Sequence, residues 1–155
     1  MLIRFLKFSS IIALGVLIMQ CQGSLDPSKK EALQLYNQLS EQAEKAIDDH
    51  AHLVNDTKVM DNHITNSDTV NVHRISDAIE GVESVEQLLM QWRRDLPIVP
   101  GATNATPETV SQLTGDELMA KLNESKEKLN YIEFRIKDIQ DLLKQIDETK
   151  KPREQ

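Results

Sequence analysis

The chain has 155 residues, and its 25 Asp and Glu residues against 18 Lys and Arg residues give a formal net charge of −7. This excess of acid argues against nucleic acid as a partner, because binding to phosphates depends on cationic contacts. The length fits one domain, and since aromatic residues make up only 4% of the chain, the core must be built mainly from aliphatic side chains, which suits helices packed side by side.

Residues 1–20 have the pattern of a secretory signal peptide. Arg4 and Lys7 precede the uncharged and mainly apolar stretch Phe8–Met19, which is the order of the basic and apolar parts of such a signal. The apolar stretch is shorter than the roughly 20 residues that a membrane-spanning helix needs. We therefore expect residues 1–20 to direct export and to take no part in the fold.

The only cysteine of the chain, Cys21, follows this segment directly. The sequence Ile18-Met19-Gln20-Cys21 resembles a bacterial lipobox, although the usual lipobox has Leu in place of Ile18 and a small residue in place of Gln20. The resemblance implies a diacylglyceryl group on the thiol, cleavage before Cys21 and an acyl chain on the new amine. A single cysteine cannot form a disulfide within the chain, and acylation would protect a thiol that is otherwise exposed after export. An uncleaved signal anchor and cleavage by the ordinary signal peptidase are the alternatives.

Acylation of Cys21 determines the expected location of the protein. Several hydrocarbon chains give stable anchoring, whereas one chain gives only marginal binding. The residue after Cys21 is Gln22 and not Asp, which resembles lipoproteins sorted to the outer rather than the inner membrane. We expect residues 21–26 to be a lipidated tether in the bacterial cell envelope, with no cofactor other than the covalent diacylglycerol and N-acyl chain.

Signals for a first helix begin at the end of the tether. Asp26 followed by Pro27, and the capping box Ser28-x-x-Glu31, both indicate a helix N-terminus. Apolar residues then recur at steps of mostly three and four, which predicts a helix over residues 27–55. Its predicted apolar face consists of Leu35, Tyr36, Leu39, Ala43, Ile47, His50 and Val54. Residues 56–71 are rich in Asn, Asp, Ser and Thr and are expected to form a connection.

A second helix is predicted over residues 72–96. Its apolar face consists of Val72, Ile75, Ile79, Val82, Val85, Leu88, Leu89, Trp92 and Leu96. Gly81 within this helix costs about 1 kcal/mol relative to alanine, and we expect close packing against a neighbouring helix to be the reason for it. Pro97 and Pro100 end the helix.

The third helix, predicted over residues 116–148, has the most regular pattern. The capping box Thr114-x-x-Glu117 marks its start. Its apolar residues alternate steps of four and three, as in the heptads of a coiled coil: Leu118, Leu122, Ser125, Leu129, Ile132, Ile136, Ile139, Leu143 and Ile146. Ser125 is the only polar member of this seam. Residues 150–155 are expected to be a polar tail.

Three helices with two connections predict an all-α fold, namely an antiparallel three-helix bundle over residues 27–149 with a coiled-coil-like third helix. An extended coiled coil that needs a partner chain is the alternative. Two long connections interrupt the chain, and this favours a monomeric bundle.

An Asp and His cluster is a candidate metal site. Asp48, His52 and Asp56 share one helix face because they are four residues apart, and such N and O ligands suit a divalent metal. His63 could supply a fourth ligand. The alternative is an acidic, solvated helix end with Asp–His pairs, in which His50 packs half-buried.

Trp92, Arg93 and Arg94 are the one place where an aromatic residue adjoins two cations. Trp92 is expected either to pack at the end of the bundle or, with the two arginines, to contact an anionic polymer or a partner protein. The sequence contains no nucleophile motif, no phosphate-binding loop and no second cysteine. It therefore favours a protein that is not an enzyme.

The stretch Met90-Gln91-Trp92-Arg93-Arg94-Asp95, together with a lipoprotein cysteine and a long final helix, is similar to small Bacteroidetes lipoproteins labelled "viral A-type inclusion protein". The resemblance implies a lipidated helical protein and supplies no catalytic residues. We expect a lipid-anchored envelope protein with a structural or protein-interaction role. A divalent-metal-binding envelope protein is the alternative.

Overall fold

The computed structural model describes residues 27–63 and 69–150 of the chain. They form three helices: α1, Pro27–His63; α2, Thr69–Asp95; and α3, Gly115–Lys150. α3 has 36 residues and is therefore about 54 Å long. The predictions for residues 1–26 and 151–155, including lipidation at Cys21, lie outside the described residues.

The helices form an antiparallel three-helix bundle in which each helix packs against the other two. The starts of α1 and α3 lie together, since a Cβ on Gly115 would be 2.6 Å from Oγ of Ser28. The start of α2 meets the end of α3, where Nδ2 of Asn71 donates a hydrogen bond to Oγ1 of Thr149 at 3.2 Å. α1 and α3 therefore run parallel, and α2 runs antiparallel to both. The predicted all-α bundle is confirmed.

The seam of α3 forms the centre of the core as predicted. All nine of its members are buried: Leu118, Leu122, Ser125, Leu129, Ile132, Ile136, Ile139, Leu143 and Ile146. Steps of four and three keep these side chains on one side of an α-helix, between α1 and α2.

The predicted end of α1 is wrong, because the helix continues past Asn55 to His63. Ile47 was placed in the core, but its side chain is 46% exposed, whereas its neighbour Ala46 is buried. Leu53 and Thr57 are also buried, and Oγ1 of Thr57 donates a hydrogen bond to the Leu53 carbonyl at 2.8 Å. The buried face of α1 therefore includes small and polar residues. Burial of Leu53 and Thr57 stabilises the helix within a segment whose composition is typical of loops.

α2 begins at Thr69, three residues before the predicted start at Val72. Asn71 is buried at this point while Val72 is 38% exposed, and the hydrogen bond from Asn71 to Thr149 connects the start of α2 to the end of α3. The predicted close packing at Gly81 is confirmed. A Cβ on Gly81 would lie 3.1 Å from Cγ1 and Cδ1 of Ile139.

Residues 96–114 cover the end of the bundle where α1 and α3 begin. Val99 and Ala102 are buried, and the hydroxyl of Tyr36 donates a hydrogen bond to Oδ1 of Asn104 at 3.1 Å. Gly101 has a φ of 90°, which favours glycine. These contacts hold the connection against α1, so that this long segment packs as part of the bundle.

The predicted cap of α3 forms at Glu117. Its Oε2 accepts hydrogen bonds from the backbone N–H of Thr114 at 3.0 Å and from the hydroxyl of Thr114 at 2.8 Å. Both bonds lower the pKa of Glu117 below its ordinary value, and the bond from the backbone N–H has the larger effect. These two bonds are therefore fully present above the ordinary pKa of a glutamate, and they are lost as the pH falls through the lowered pKa.

Candidate functional site

A groove of about 540 Å³ lies between α1 and α2, next to the connection of residues 96–114. We call it the α1–α2 groove; its lining includes Tyr36, Ile47, Trp92, Arg93, Arg94 and Ile98. This volume lies within the range of roughly 300–1,000 Å³ that is usual for ligand sites. The structure therefore brings the predicted cluster of Trp92, Arg93 and Arg94 to the edge of a groove.

Trp92 is part of the core and also one wall of the groove. Its side chain is 5% exposed, and its Nε1–H donates a hydrogen bond to the Ser125 carbonyl at 2.7 Å. The hydroxyl of Ser125 donates to the Lys121 carbonyl at 3.0 Å, so the polar residue of the α3 seam is satisfied within its own helix. The interpretation of Trp92 as a packing residue is confirmed, and because it is almost fully buried, a ligand in the groove could contact only a small part of it.

Arg93 and Arg94 are exposed on the last turn of α2. Cations are favourable there because they face the negative end of the helix dipole. Neither arginine has an ion-pair partner among residues 27–62 and 69–149. Both guanidinium groups are therefore available to a carboxylate or a phosphate, which they can bind through two parallel hydrogen bonds.

Two lysines of α3 near this end of the bundle have ion-pair partners. Nζ of Lys128 lies 3.0 Å from Oε1 of Glu124 and 3.8 Å from Oδ2 of Asp95, and Lys121 also pairs with Glu124 at 3.0 Å. The hydrogen bonds from both lysines lower the pKa of Glu124, and the bond to Glu124 raises the pKa of Lys128. This network is exposed and adds little to stability.

The rest of the groove lining is mainly apolar. Ile47 contributes an exposed aliphatic side chain, and Leu96 and Ile98 contribute half-buried ones. Glu44 is the acidic residue of the lining. The groove therefore presents an apolar surface with two free cations at one edge. Sequence reasoning missed Ile47 as a groove residue, although its position next to Ala46 meant that only one of the two could face the core.

In the Asp and His cluster, only Asp48 and His52 are shown to lie close to each other. Nε2 of His52 lies 3.7 Å from Oδ2 of Asp48, and both side chains are largely exposed. No group of three metal-ligating side chains occurs among the residues whose side chains are described, and the side chain of His63 is not one of these. The metal site of Asp48, His52, Asp56 and His63 stays a prediction.

His50 packs as expected from the sequence. It is half-buried, and its Nε2 lies 3.1 Å from the carbonyl oxygen of Val82. Since a carbonyl can only accept, this bond requires a hydrogen on Nε2. His50 therefore connects α1 to α2 and does not face Asp48 and His52.

Comparisons with known proteins give no family for the chain. No protein-family model matches it, no curated protein matches it, and no solved structure matches it. Within the part of the chain that the structure describes, none of the helices is both long and apolar enough to span a membrane. The resemblance to the small Bacteroidetes lipoproteins stays a prediction.

Proposed function

We propose that this protein is a non-enzymatic, lipid-anchored protein of the bacterial cell envelope that binds another envelope protein in its α1–α2 groove. The observation that carries the binding role is the pair of unpaired arginines, Arg93 and Arg94, beside an apolar groove. The anchor rests on the resemblance of residues 18–21 to a lipobox.

The composition of the groove supports a protein partner. Arginine is enriched at the centres of protein interfaces, and here two arginines line one groove. The partner that fits is a segment with a carboxylate for the arginines and an aliphatic side chain for the surface formed by Ile47 and Ile98.

The anchor is tested by incorporation of a labelled fatty acid in cells. We expect label in the wild type, no label in Cys21→Ala, and an uncleaved precursor when the lipoprotein signal peptidase is inhibited with globomycin. The variant keeps the apolar stretch of residues 8–19, so export itself serves as the control. Absence of label from the exported wild type would contradict the proposed anchor.

The groove is tested by photo-crosslinking in whole cells. A photoreactive residue at Ile47, inside the groove, is expected to give a discrete protein adduct. The same residue at Val59, which is somewhat more exposed on α1 (55% against 46%) but lies outside the groove lining, should give none. Arg93→Glu with Arg94→Glu should lower the adduct by about tenfold or more, because it reverses the charges that meet the partner.

Lys137→Glu with Lys144→Glu is the matched control, since it makes the same change of charge at exposed positions of α3. An adduct at Ile47 that the arginine variant and the lysine variant weaken equally would contradict the proposed site.

A further inference from the structure

The position of the tether fixes which end of the bundle lies nearest to the lipid. Residues 21–26 separate Cys21 from the first residue of α1, and six residues span at most about 20 Å. The start of α3 and the connection of residues 96–114 lie at this same end, as the contacts of Ser28 with Gly115 and of Tyr36 with Asn104 show. An anchor at Cys21 therefore brings this end, which we call the tethered end, close to the bilayer.

Charge differs sharply between the two ends. The connection of residues 96–114 contains a single charged residue, Glu108, among 19 residues. In contrast, residues 48–86 and 135–150, which include the distal parts of all three helices, contain thirteen acidic and six basic residues. An anionic bilayer repels acidic surfaces within about 10 Å. Lying flat would bring the acidic part of the bundle against the bilayer, whereas standing upright keeps it away.

The tethered end is also suited to contact with headgroups. Its connection is held in place by the buried Val99 and Ala102 and by the hydrogen bond from the Ser111 N–H to the Ile98 carbonyl at 2.8 Å. Thr103, Thr106 and Thr109 are exposed on it, as is Leu113, and the hydroxyls of Thr106 and Thr109 bond to each other at 3.0 Å. This surface offers hydrogen bonds and one apolar contact without a cluster of like charge.

We propose that the bundle stands upright on the membrane, with the connection of residues 96–114 against the lipid headgroups. The proposal rests on the lipid anchor of the proposed function. Ile98 of the connection lines the α1–α2 groove, so the groove begins at the tethered end. It extends to Trp92, which is bonded to Ser125, ten residues or about 15 Å into α3. It opens sideways near the bilayer, which suits a partner that is itself associated with the membrane.

The orientation can be measured whether or not cells acylate the protein. The chain from Cys21 to Gln155, which contains the whole bundle, is coupled through its single thiol to a maleimide lipid in a supported bilayer of phosphatidylethanolamine and phosphatidylglycerol. Neutron reflectometry is expected to find a protein layer about 50 Å thick, close to the length of α3. A layer about 20–25 Å thick, equal to two helix diameters, would overturn the proposal while leaving the anchor intact.

A second measurement identifies the end that faces the lipid. Leu113→Trp places an indole at the tethered end and Val70→Trp at the opposite end, both at positions that are already exposed (40% and 62%). The bilayer also carries dansyl-labelled headgroups, which accept energy from tryptophan. Trp92 gives the same signal in both variants. The added indole of Leu113→Trp should transfer energy strongly to dansyl, and that of Val70→Trp should emit with little transfer. Equal transfer from the two variants, or more from Val70→Trp, would overturn the upright orientation.

Discussion

Trp92→Ala is expected to destabilise the bundle by about 3–5 kcal/mol, the usual cost of removing a large buried aromatic side chain. The indole is 5% exposed and lies between α2 and α3, where its hydrogen bond to the Ser125 carbonyl is 2.7 Å long. Its loss leaves a cavity that the neighbouring helices can fill only in part. Urea unfolding followed by far-ultraviolet circular dichroism measures the change, because the variant has no tryptophan to report by fluorescence.

Two further variants separate the contributions of Trp92. Trp92→Phe keeps most of the apolar contact and loses the hydrogen bond. We therefore expect a smaller loss of unfolding free energy than in Trp92→Ala, with about 1–2 kcal/mol due to the hydrogen bond. Arg93→Ala, one residue further on and exposed, should change the free energy of unfolding by less than about 0.5 kcal/mol. If Trp92→Ala were no less stable than Arg93→Ala, the assignment of Trp92 to the core would be wrong.

The sequence was most informative where one pattern alone decides the structure. The seam of α3 repeats at steps of four and three without interruption, and each member proved to be buried, because α1 and α2 both pack on this one face. The capping box at Glu117 was equally predictable, since it depends on residues three positions apart and on no other helix.

The end of α1 was not predictable from local composition. Residues 56–63 contain Asp, Asn and His, which favour loops or caps, yet they are helical. The burial of Thr57, with its hydroxyl bonded back to Leu53 and Val54, and the partial burial of Met60 come from packing between helices. Such contacts override a weak local preference, and a single sequence does not reveal them.

The sequence predicted only the α2 side of the candidate site. Trp92, Arg93 and Arg94 stand together in the sequence, but the opposite side of the groove, including Ile47, comes from a helix about 45 positions earlier. Hydrophobicity placed Ile47 in the core, whereas the structure buries the smaller Ala46. A small side chain on the buried face allows two helices to approach, and the larger neighbour is left to form the wall of the groove.

The same preference for small residues at a helix contact makes Gly81 sensitive to substitution. Gly81→Val is expected to cost about 1–3 kcal/mol through overpacking, because its Cβ would already lie 3.1 Å from Cγ1 and Cδ1 of Ile139 and two further methyl groups must then fit. Gly81→Ala should change stability far less, since the gain of about 1 kcal/mol in helix propensity offsets a small shift of the Ile139 side chain. Thermal and urea unfolding measure both effects.

Two controls show whether the cost of Gly81→Val comes from the contact with Ile139. Ser84→Val introduces the same β-branched residue at an exposed position of α2 and should cost less than about 0.5 kcal/mol. Combining Gly81→Val with Ile139→Ala should cost less than the sum of the two single variants, because the valine methyl groups occupy space vacated by Ile139. Additive losses, or a Gly81→Val variant as stable as Ser84→Val, would contradict the close approach of α2 and α3 at Gly81. If Ile139→Ala restores part of the free energy of unfolding that Gly81→Val loses, the short distance between α2 and α3 is the reason for glycine at position 81. The backbone gives no other reason, since no turn or cap occurs at this position.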